Sequence, residues 1–88
     1  MIERTLPVTL RLTSKAGLDP RISALLAMEA SVFNCSITLA HLGRLVNAKS
    51  VAEVMSLGAP QGGLIEIHAE GEQAQEAVNA VIALIQNH

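Results

Sequence analysis

The chain passes from a predicted strand into a predicted helix through the stretch Val46-Asn47-Ala48-Lys49-Ser50-Val51-Ala52-Glu53. Ser50 followed three positions later by Glu53 has the spacing of a capping box, which satisfies free backbone N–H groups at a helix start. Gly58 and Pro60 then supply residue types that commonly follow the end of a helix. This stretch therefore predicts a short helix from Ser50 to about Leu57, and the other elements are assigned outward from it.

Alternating apolar residues on both sides of this helix predict four strands. Residues 36–47 are typical of two strands joined by a tight hairpin, with the turn at Leu42-Gly43-Arg44. After the helix, Ile65, Ile67 and Ala69 alternate with polar residues as far as Gly71. Near the N-terminus, a first strand is predicted with Leu6, Val8, Leu10 and Leu12 on one face and Thr5, Thr9 and Arg11 on the other. Pro7 favours an edge position for that strand.

Two further segments have the spacing of amphipathic helices. The first begins near Pro20, and its apolar stripe contains Ile22, Leu25, Leu26, Val32 and Phe33. The second ends the chain, and its stripe contains Ala74, Ala77, Val78, Val81, Ile82 and Ile85. The element order is therefore β-α-β-β-α-β-α. Because each helix needs a sheet to cover its apolar face, residues 1–88 are predicted to form a single α+β domain of two layers, with one sheet face left to solvent.

The composition argues against several classes of function. Hydrophobic residues make up 50% of the chain, but Phe33 is the one aromatic residue, so no Trp or Tyr is present to stack on bases or sugars. The formal net charge is -2 and the basic residues are scattered, which argues against nucleic-acid binding. Since no stretch has the length of a membrane span and no signal-peptide core is visible, we expect no membrane association and a cytoplasmic location. The lone cysteine, Cys35, is interpreted as a small strand-entry residue.

Asp19 stands directly before Pro20 and the first helical stripe. Its carboxylate suits a helix cap, since it accepts hydrogen bonds from free N–H groups and favours the positive end of the helix dipole. Arg21 follows closely, and a helix start flanked by an arginine is also a natural site for an anion or a phosphate. The protein has placed its own negative charge at this site.

The segment Gly17-Leu18-Asp19-Pro20-Arg21-Ile22-Ser23 resembles the Gly-x-His-x-Arg-Pro-Ala segment of the HPr family of the phosphoenolpyruvate:sugar phosphotransferase system. Ser50 follows Asp19 by 31 positions, the separation between the family's active histidine and its regulatory serine. Around Ser50 the sequence is similar to the HPr and Crh proteins of Gram-positive bacteria. The resemblance covers nearly the whole chain and implies an open-faced sandwich, in which a four-stranded antiparallel sheet is covered on one face by three helices. Pro20, Ile22 and Ser23 depart from the family pattern.

The resemblance also implies a function. In HPr the histidine accepts a phosphoryl group from enzyme I and passes it to sugar-transport proteins, while the arginine and the helix start hold the phosphate. By position Arg21 is retained and Asp19 replaces the histidine, so phosphohistidine transfer is not expected here. Crh proteins also lack the histidine and keep the serine. The leading hypothesis is a regulatory protein-binding module, not a turnover enzyme, that is phosphorylated on Ser50 by an HPr kinase.

A partner-binding surface is implied by the same resemblance. Val51 and Met55 lie one helical turn apart and resemble the exposed apolar patch that HPr proteins present to their partners. Those partners are HPr kinase/phosphorylase, enzyme I and transcriptional regulators. Arg21, Lys49 and Ala52 complete the predicted partner-binding set, although Ala52 is smaller than the residue usual at its position.

Two other functions are left open by the residues. Asp19 in principle forms an acyl phosphate, which would make the chain a phosphocarrier that is charged by enzyme I. The order β-α-β-β-α-β also permits a ferredoxin-like small-ligand sensor, although nothing in such a sensor requires the Ser50 segment. We expect no metal site and no cofactor. The three histidines, His41, His68 and His88, lack the spacing of metal ligands and are interpreted as solvated. Glu66 and Glu70 are interpreted as part of a solvated outer sheet face.

Overall fold

The computed structural model of the chain describes residues 2–88, which form four strands and three helices. The strands are β1 (Val8–Arg11), β2 (Cys35–His41), β3 (Arg44–Asn47) and β4 (Leu64–Gly71). The helices are α1 (Pro20–Ser31), α2 (Val51–Ser56) and α3 (Ala74–Gln86). The predicted element order and the predicted α+β fold class are both confirmed.

The strands form one antiparallel sheet in the order β1-β4-β2-β3. β1 and β3 are therefore the edge strands, and Pro7 lies immediately before β1, as expected for a residue without an N–H donor. One row of the register crosses the sheet through Val8, Ile67, Leu39 and Val46. These apolar side chains face the layer of helices, and no helix formed by residues 2–88 packs on the opposite face of the sheet.

The core between the sheet and the helices is almost entirely aliphatic. Leu26 of α1, Ile65 of β4 and Val81 of α3 are each 0% exposed. Complete burial of such a side chain stabilises the fold by roughly 1.5 to 3 kcal/mol. The inward faces predicted from periodicity are confirmed for β4 and α3, where the buried residues are Ile65, Ile67, Ala69, Ala74, Ala77, Val78, Val81 and Ile85.

The first strand departs from its predicted alternation before Pro7. Thr5 is 7% exposed and faces the core, whereas Leu6, predicted to face inward, is 85% exposed. Between the bridge of Arg4 with Glu70 and the first pair of β1 with β4, three residues oppose two. That count defines a β-bulge, whose extra residue reverses the alternation. The prediction was wrong here because the extra residue has no periodic signal of its own.

Two element boundaries also differ from the prediction. Leu42 and Gly43 have φ angles of 50° and 82°, and two residues of positive φ are enough for a tight hairpin of the type I′ kind. Arg44, predicted within the turn, is therefore the first residue of β3. Helix α1 ends at Ser31, so Val32, predicted on the apolar stripe, caps the helix and is 71% exposed.

Candidate functional site

Asp19 is the N-cap of α1, as predicted. Its backbone is extended, with φ -74° and ψ 174°, and its Oδ1 atom accepts a hydrogen bond from the Ile22 N–H at 2.8 Å. Pro20 occupies the first helical position, where the missing N–H costs nothing. The half-buried carboxylate is therefore held at the positive end of the helix dipole.

Gly17 fixes the position of this helix start against the segment that follows α2. Its φ of 64° lies in the left-handed region, and a Cβ atom at this position would overlap the carbonyl oxygen of Ala59 and lie 2.8 Å from Pro60 Cα. The adjacent Leu18 is buried, and its N–H donates to the Ala59 carbonyl at 3.0 Å. No local sequence signal pointed to Ala59 and Pro60, because the contact joins segments about 40 residues apart and depends on close backbone approach.

Arg21 lies in the first turn of α1 and is exposed. Residues 2–88 contain one ion pair, between Arg4 and Glu70 at 3.0 Å on the other side of the sheet. The Arg21 guanidinium is therefore not ion-paired with Asp19. An exposed guanidinium beside a fixed carboxylate presents both charges to solvent. This arrangement is suited to contact with another protein, since both charges remain available for pairing.

Ser50 is the N-cap of α2, as predicted, and its Oγ atom accepts the Glu53 N–H at 3.2 Å. The reciprocal half of the predicted capping box is absent. The Ser50 N–H donates to the Asn47 carbonyl instead, and the Glu53 carboxylate accepts the Asn47 N–H at 3.1 Å. In a capping box the Ser50 N–H would donate to the Glu53 carboxylate, but the tight turn before α2 uses this N–H instead.

Lys49 connects the start of α2 to the end of α1. Its Nζ atom donates to the Phe33 carbonyl at 2.7 Å, just beyond the C-terminus of α1, where a cation complements the helix dipole. Lys49 was predicted as a partner contact; in the structure its ammonium group makes this internal bond. Lys49, just before α2, contacts the end of α1, and Ala59, just after α2, contacts the start of α1. Helices α1 and α2 therefore lie side by side and run in opposite directions. Asp19 and Ser50 therefore lie at opposite ends of the helix pair.

The predicted apolar patch on α2 is present at the surface. Val51 is 38% exposed and Met55 is 40% exposed, whereas Val54 between them is completely buried. Ala52 is also exposed. The helix thus divides into a core-facing side and an outer side, and the outer side carries the three predicted contact residues of α2.

The remaining residues singled out from the sequence are separate from this site. His41 lies at the far end of β2, where its Nδ1 atom is 2.9 Å from the Leu64 carbonyl oxygen, and Glu70 pairs with Arg4. Across residues 2–88 no three His, Cys, Asp or Glu side chains are grouped so as to hold a metal ion. Cys35 begins β2 as predicted, and burial raises the pKa of its thiol while the charge of Lys49 opposes that rise.

The helices within residues 2–88 are too short or too polar to cross a lipid bilayer.

Comparisons with known proteins agree with this geometry. The family model described as "PTS HPr component phosphorylation site" matches residues 7–87. The phosphocarrier protein HPr of Xylella fastidiosa is 41% identical over 87 residues, covering 99% of this chain and 93% of that protein. The HPr-like protein Crh of Halalkalibacterium halodurans is 40% identical over 86 residues, covering 98% of each. The crystal structure of HPr-C-His from Thermoanaerobacter tengcongensis matches with a TM-score of 0.90 at 37% identity, over 94% of this chain and 93% of that one.

The four-stranded open sheet, the capped start of α1 and the capped serine of α2 together define a domain of the phosphocarrier type. The chain belongs to the HPr family, whose members include both the HPr phosphocarriers and the HPr-like Crh proteins. The family resemblance and the fold that it implied are thus confirmed.

Proposed function

We propose that this chain is a regulatory protein-binding module of the phosphotransferase network, that it lacks the phosphoryl-accepting histidine, and that it is phosphorylated on Ser50. The observation that carries the proposal is the side chain at the start of α1. An aspartate stands there, and its Oδ1 atom already accepts the Ile22 N–H. Since a carboxylate cannot form a phosphohistidine, this helix start has lost the chemistry of a histidine phosphocarrier.

The Crh relatives support a regulatory role. Crh of Bacillus subtilis is described as the catabolite repression HPr in its solution structure, and a second Crh protein matches this chain over almost its full length. We carry that role over to this chain because the segment around Ser50 is similar to the HPr and Crh proteins of Gram-positive bacteria. In this role the Asp19 carboxylate is a permanent negative charge beside Arg21 and imitates part of the phosphorylated state.

The start of α2 is suited to carry a phosphate on Ser50. The Oγ atom already lies 3.2 Å from the Glu53 N–H, so added phosphate oxygens would face free N–H groups and the positive end of the helix dipole. The nearest acidic side chain along the helix is that of Glu53, but its carboxylate is held by the Asn47 N–H. A phosphate therefore adds charge at the surface and leaves α2 folded.

The partner contacts that we propose extend along the helix pair from this phosphate. Val51 and Met55 supply exposed apolar area, and Arg21, which has no ion-pair partner within residues 2–88, supplies a cation at the other end of the helix pair. The partners would be HPr kinase/phosphorylase, enzyme I or a transcriptional regulator. The small side chain of Ala52 reduces the apolar contact, so binding to the partners of ordinary HPr proteins is expected to be weaker.

The test is phosphorylation by a cognate HPr kinase with ATP, followed by intact mass measurement and peptide mapping. We expect one phosphate on Ser50 of the unmodified chain, none on Ser50→Ala, and normal modification of Ser56→Ala. Ser56 is a matched control because it lies on the same helix, where its Oγ donates to the Glu53 carbonyl at 2.6 Å. If the kinase modifies a true HPr in the same preparation but leaves Ser50 unmodified, the kinase-substrate part of the proposal is wrong.

A second variant separates the missing histidine from the other departures. Asp19→His restores the residue type that accepts phosphate, and we expect it to gain phosphate from enzyme I and phosphoenolpyruvate. If it gains none, then Pro20, Ile22 and Ala52 prevent the reaction as strongly as the missing histidine does, and loss of that side chain does not explain the function.

A further inference from the structure

The outer face of the sheet, which was predicted to be solvated, is divided into two chemically different halves. The half near the start of β2 is polar, as predicted, and carries Ser36, Thr38, His68 and Glu70. The half near the hairpin is apolar. It contains a groove of about 490 Å³ whose walls include Ala40, Leu42, Leu45 and Leu64. We call these four residues the leucine groove.

The three leucines of this groove are unusually exposed for their size. Leu42 is 92% exposed, Leu45 is 62% exposed and Leu64 is 50% exposed. Single exposed leucines are common on protein surfaces, but three on one concave surface form a patch of the kind found at binding sites. These side chains contribute little burial to the isolated fold.

Leu42 is also held in an unfavourable backbone conformation. Its φ of 50° lies in the left-handed region, at the first position of a two-residue hairpin turn. Asn, Asp and Gly adopt that conformation readily, whereas a leucine is strained there. The strain brings no burial in return, since the side chain points into solvent. A strained residue without local compensation is a reason to look for a contact outside the chain.

The charges beside the groove favour a particular occupant. Glu66 and Arg11 both lie on the outer face next to Leu64: Arg11 is directly opposite Leu64 on β1, and Glu66 is two positions further along β4. They are not paired with each other, and the Arg11 guanidinium instead donates to the Gly62 carbonyl at 2.8 Å. A surface with one acid and one base that are not ion-paired with each other, beside an apolar groove, is complementary to a copy of itself turned by a two-fold axis.

We propose that the leucine groove is the contact surface for a second copy of this chain. In this dimer the two sheets pack face to face, the leucines of both copies are buried, and Glu66 of each copy meets Arg11 of the other. Such an association is weak and depends on concentration, since the apolar area is small for a stable interface. It leaves both helical faces exposed, so each dimer would present two Ser50 surfaces to its partners.

The test is sedimentation velocity over about three decades of protein concentration, because a reversible dimer shifts with mass action. Interference optics are needed, since the chain contains no Trp or Tyr. We expect the unmodified chain to shift from monomer to dimer as concentration rises. Leu42→Asn should weaken the dimer roughly 100- to 10,000-fold, because both copies lose a leucine and burying each one is worth about 10- to 100-fold. Because asparagine suits the turn, this variant should also be at least as resistant to urea as the parent.

Two controls make the result specific. Met28→Gln removes a similarly exposed apolar side chain from α1, on the opposite side of the molecule, and should leave the dimer unchanged. Glu66→Arg should weaken the dimer, and the double variant with Arg11→Glu should restore it, because the complementarity is then re-established in reverse.

A chain that remains monomeric at every concentration overturns the proposal. A dimer whose stability is unchanged by Leu42→Asn also overturns the proposal. That result is expected of a dimer that forms by exchange of strands between the two copies.

Discussion

Substitution of Gly17 by alanine tests whether the start of α1 is locked against the segment after α2. Two separate costs arise from the structure. Alanine at a φ of 64° is strained by about 1 to 2 kcal/mol, the cost of placing a Cβ atom in the left-handed region. The new Cβ atom also overlaps the Ala59 carbonyl and lies 2.8 and 2.9 Å from two Pro60 backbone atoms, and overpacking of this kind costs roughly 1 to 3 kcal/mol.

Gly58 provides a matched control for this substitution. Its φ is 60°, close to that of Gly17, but a Cβ atom there would meet nothing within 4 Å. Gly58→Ala should therefore cost the strain alone, and the gain from a stiffer unfolded chain is shared by both variants. We expect Gly17→Ala to lose about 2 to 5 kcal/mol and to exceed Gly58→Ala by about 1 to 3 kcal/mol.

The assay is urea denaturation followed by far-ultraviolet circular dichroism, since the chain has no Trp or Tyr fluorescence. Equal free energies of unfolding for the two variants would refute the close approach of Gly17 to Ala59. The position of Asp19 relative to the end of α2 would then be undefined.

Three further outcomes follow from the helix ends and the core. Asp19→Ala should lower the free energy of unfolding by about 1 kcal/mol, whereas Asp19→Asn should lose only a few tenths because its amide oxygen still caps α1, as urea denaturation will show. Ser50→Ala should lose about 1 kcal/mol in the same assay, and Ser50→Asp should retain most of it. Burial raises the pKa of the Cys35 thiol in the folded state above its value in the unfolded state. The contribution of the neutral thiol to the free energy of unfolding is therefore fully present below the unfolded-state pKa, and it is lost as the pH rises through the folded-state pKa. Cys35→Ala should remove that alkaline loss, and the parent thiol should react slowly with a disulfide reagent at neutral pH.

The fold was predictable because its repeating patterns are strong. The alternation in β4 and the helical spacing in α3 each describe an element with one buried side, and Gly58 with Pro60 separates them from α2. The bulge at Leu6 and Pro7 was not predictable, since a single inserted residue changes the phase without changing the composition. The turn at Leu42 and Gly43 was predicted, but Arg44 was wrongly included in it, because leucine gives no signal for the two-residue turn in which it lies.

The candidate site was predictable in its local parts only. Asp19 and Ser50 cap their helices as their neighbours in sequence suggested, and both hydrogen bonds span three residues. The contacts that hold the two helix ends in place, from Lys49 to Phe33 and from Leu18 to Ala59, join distant segments. Such contacts depend on how α1 and α2 pack together, and a single sequence carries no local signal for that packing.

The central claim is that α1 begins with a capping carboxylate and carries no phosphoryl acceptor. The most direct measurement is the intact mass of the chain after incubation with enzyme I and phosphoenolpyruvate, with a histidine-containing HPr in the same tube as the positive control. The account predicts that the control gains a phosphate and this chain gains none. A phosphate on this chain that is released by hydroxylamine, and that is absent from Asp19→Asn, would contradict it and identify Asp19 as an acyl-phosphate carrier.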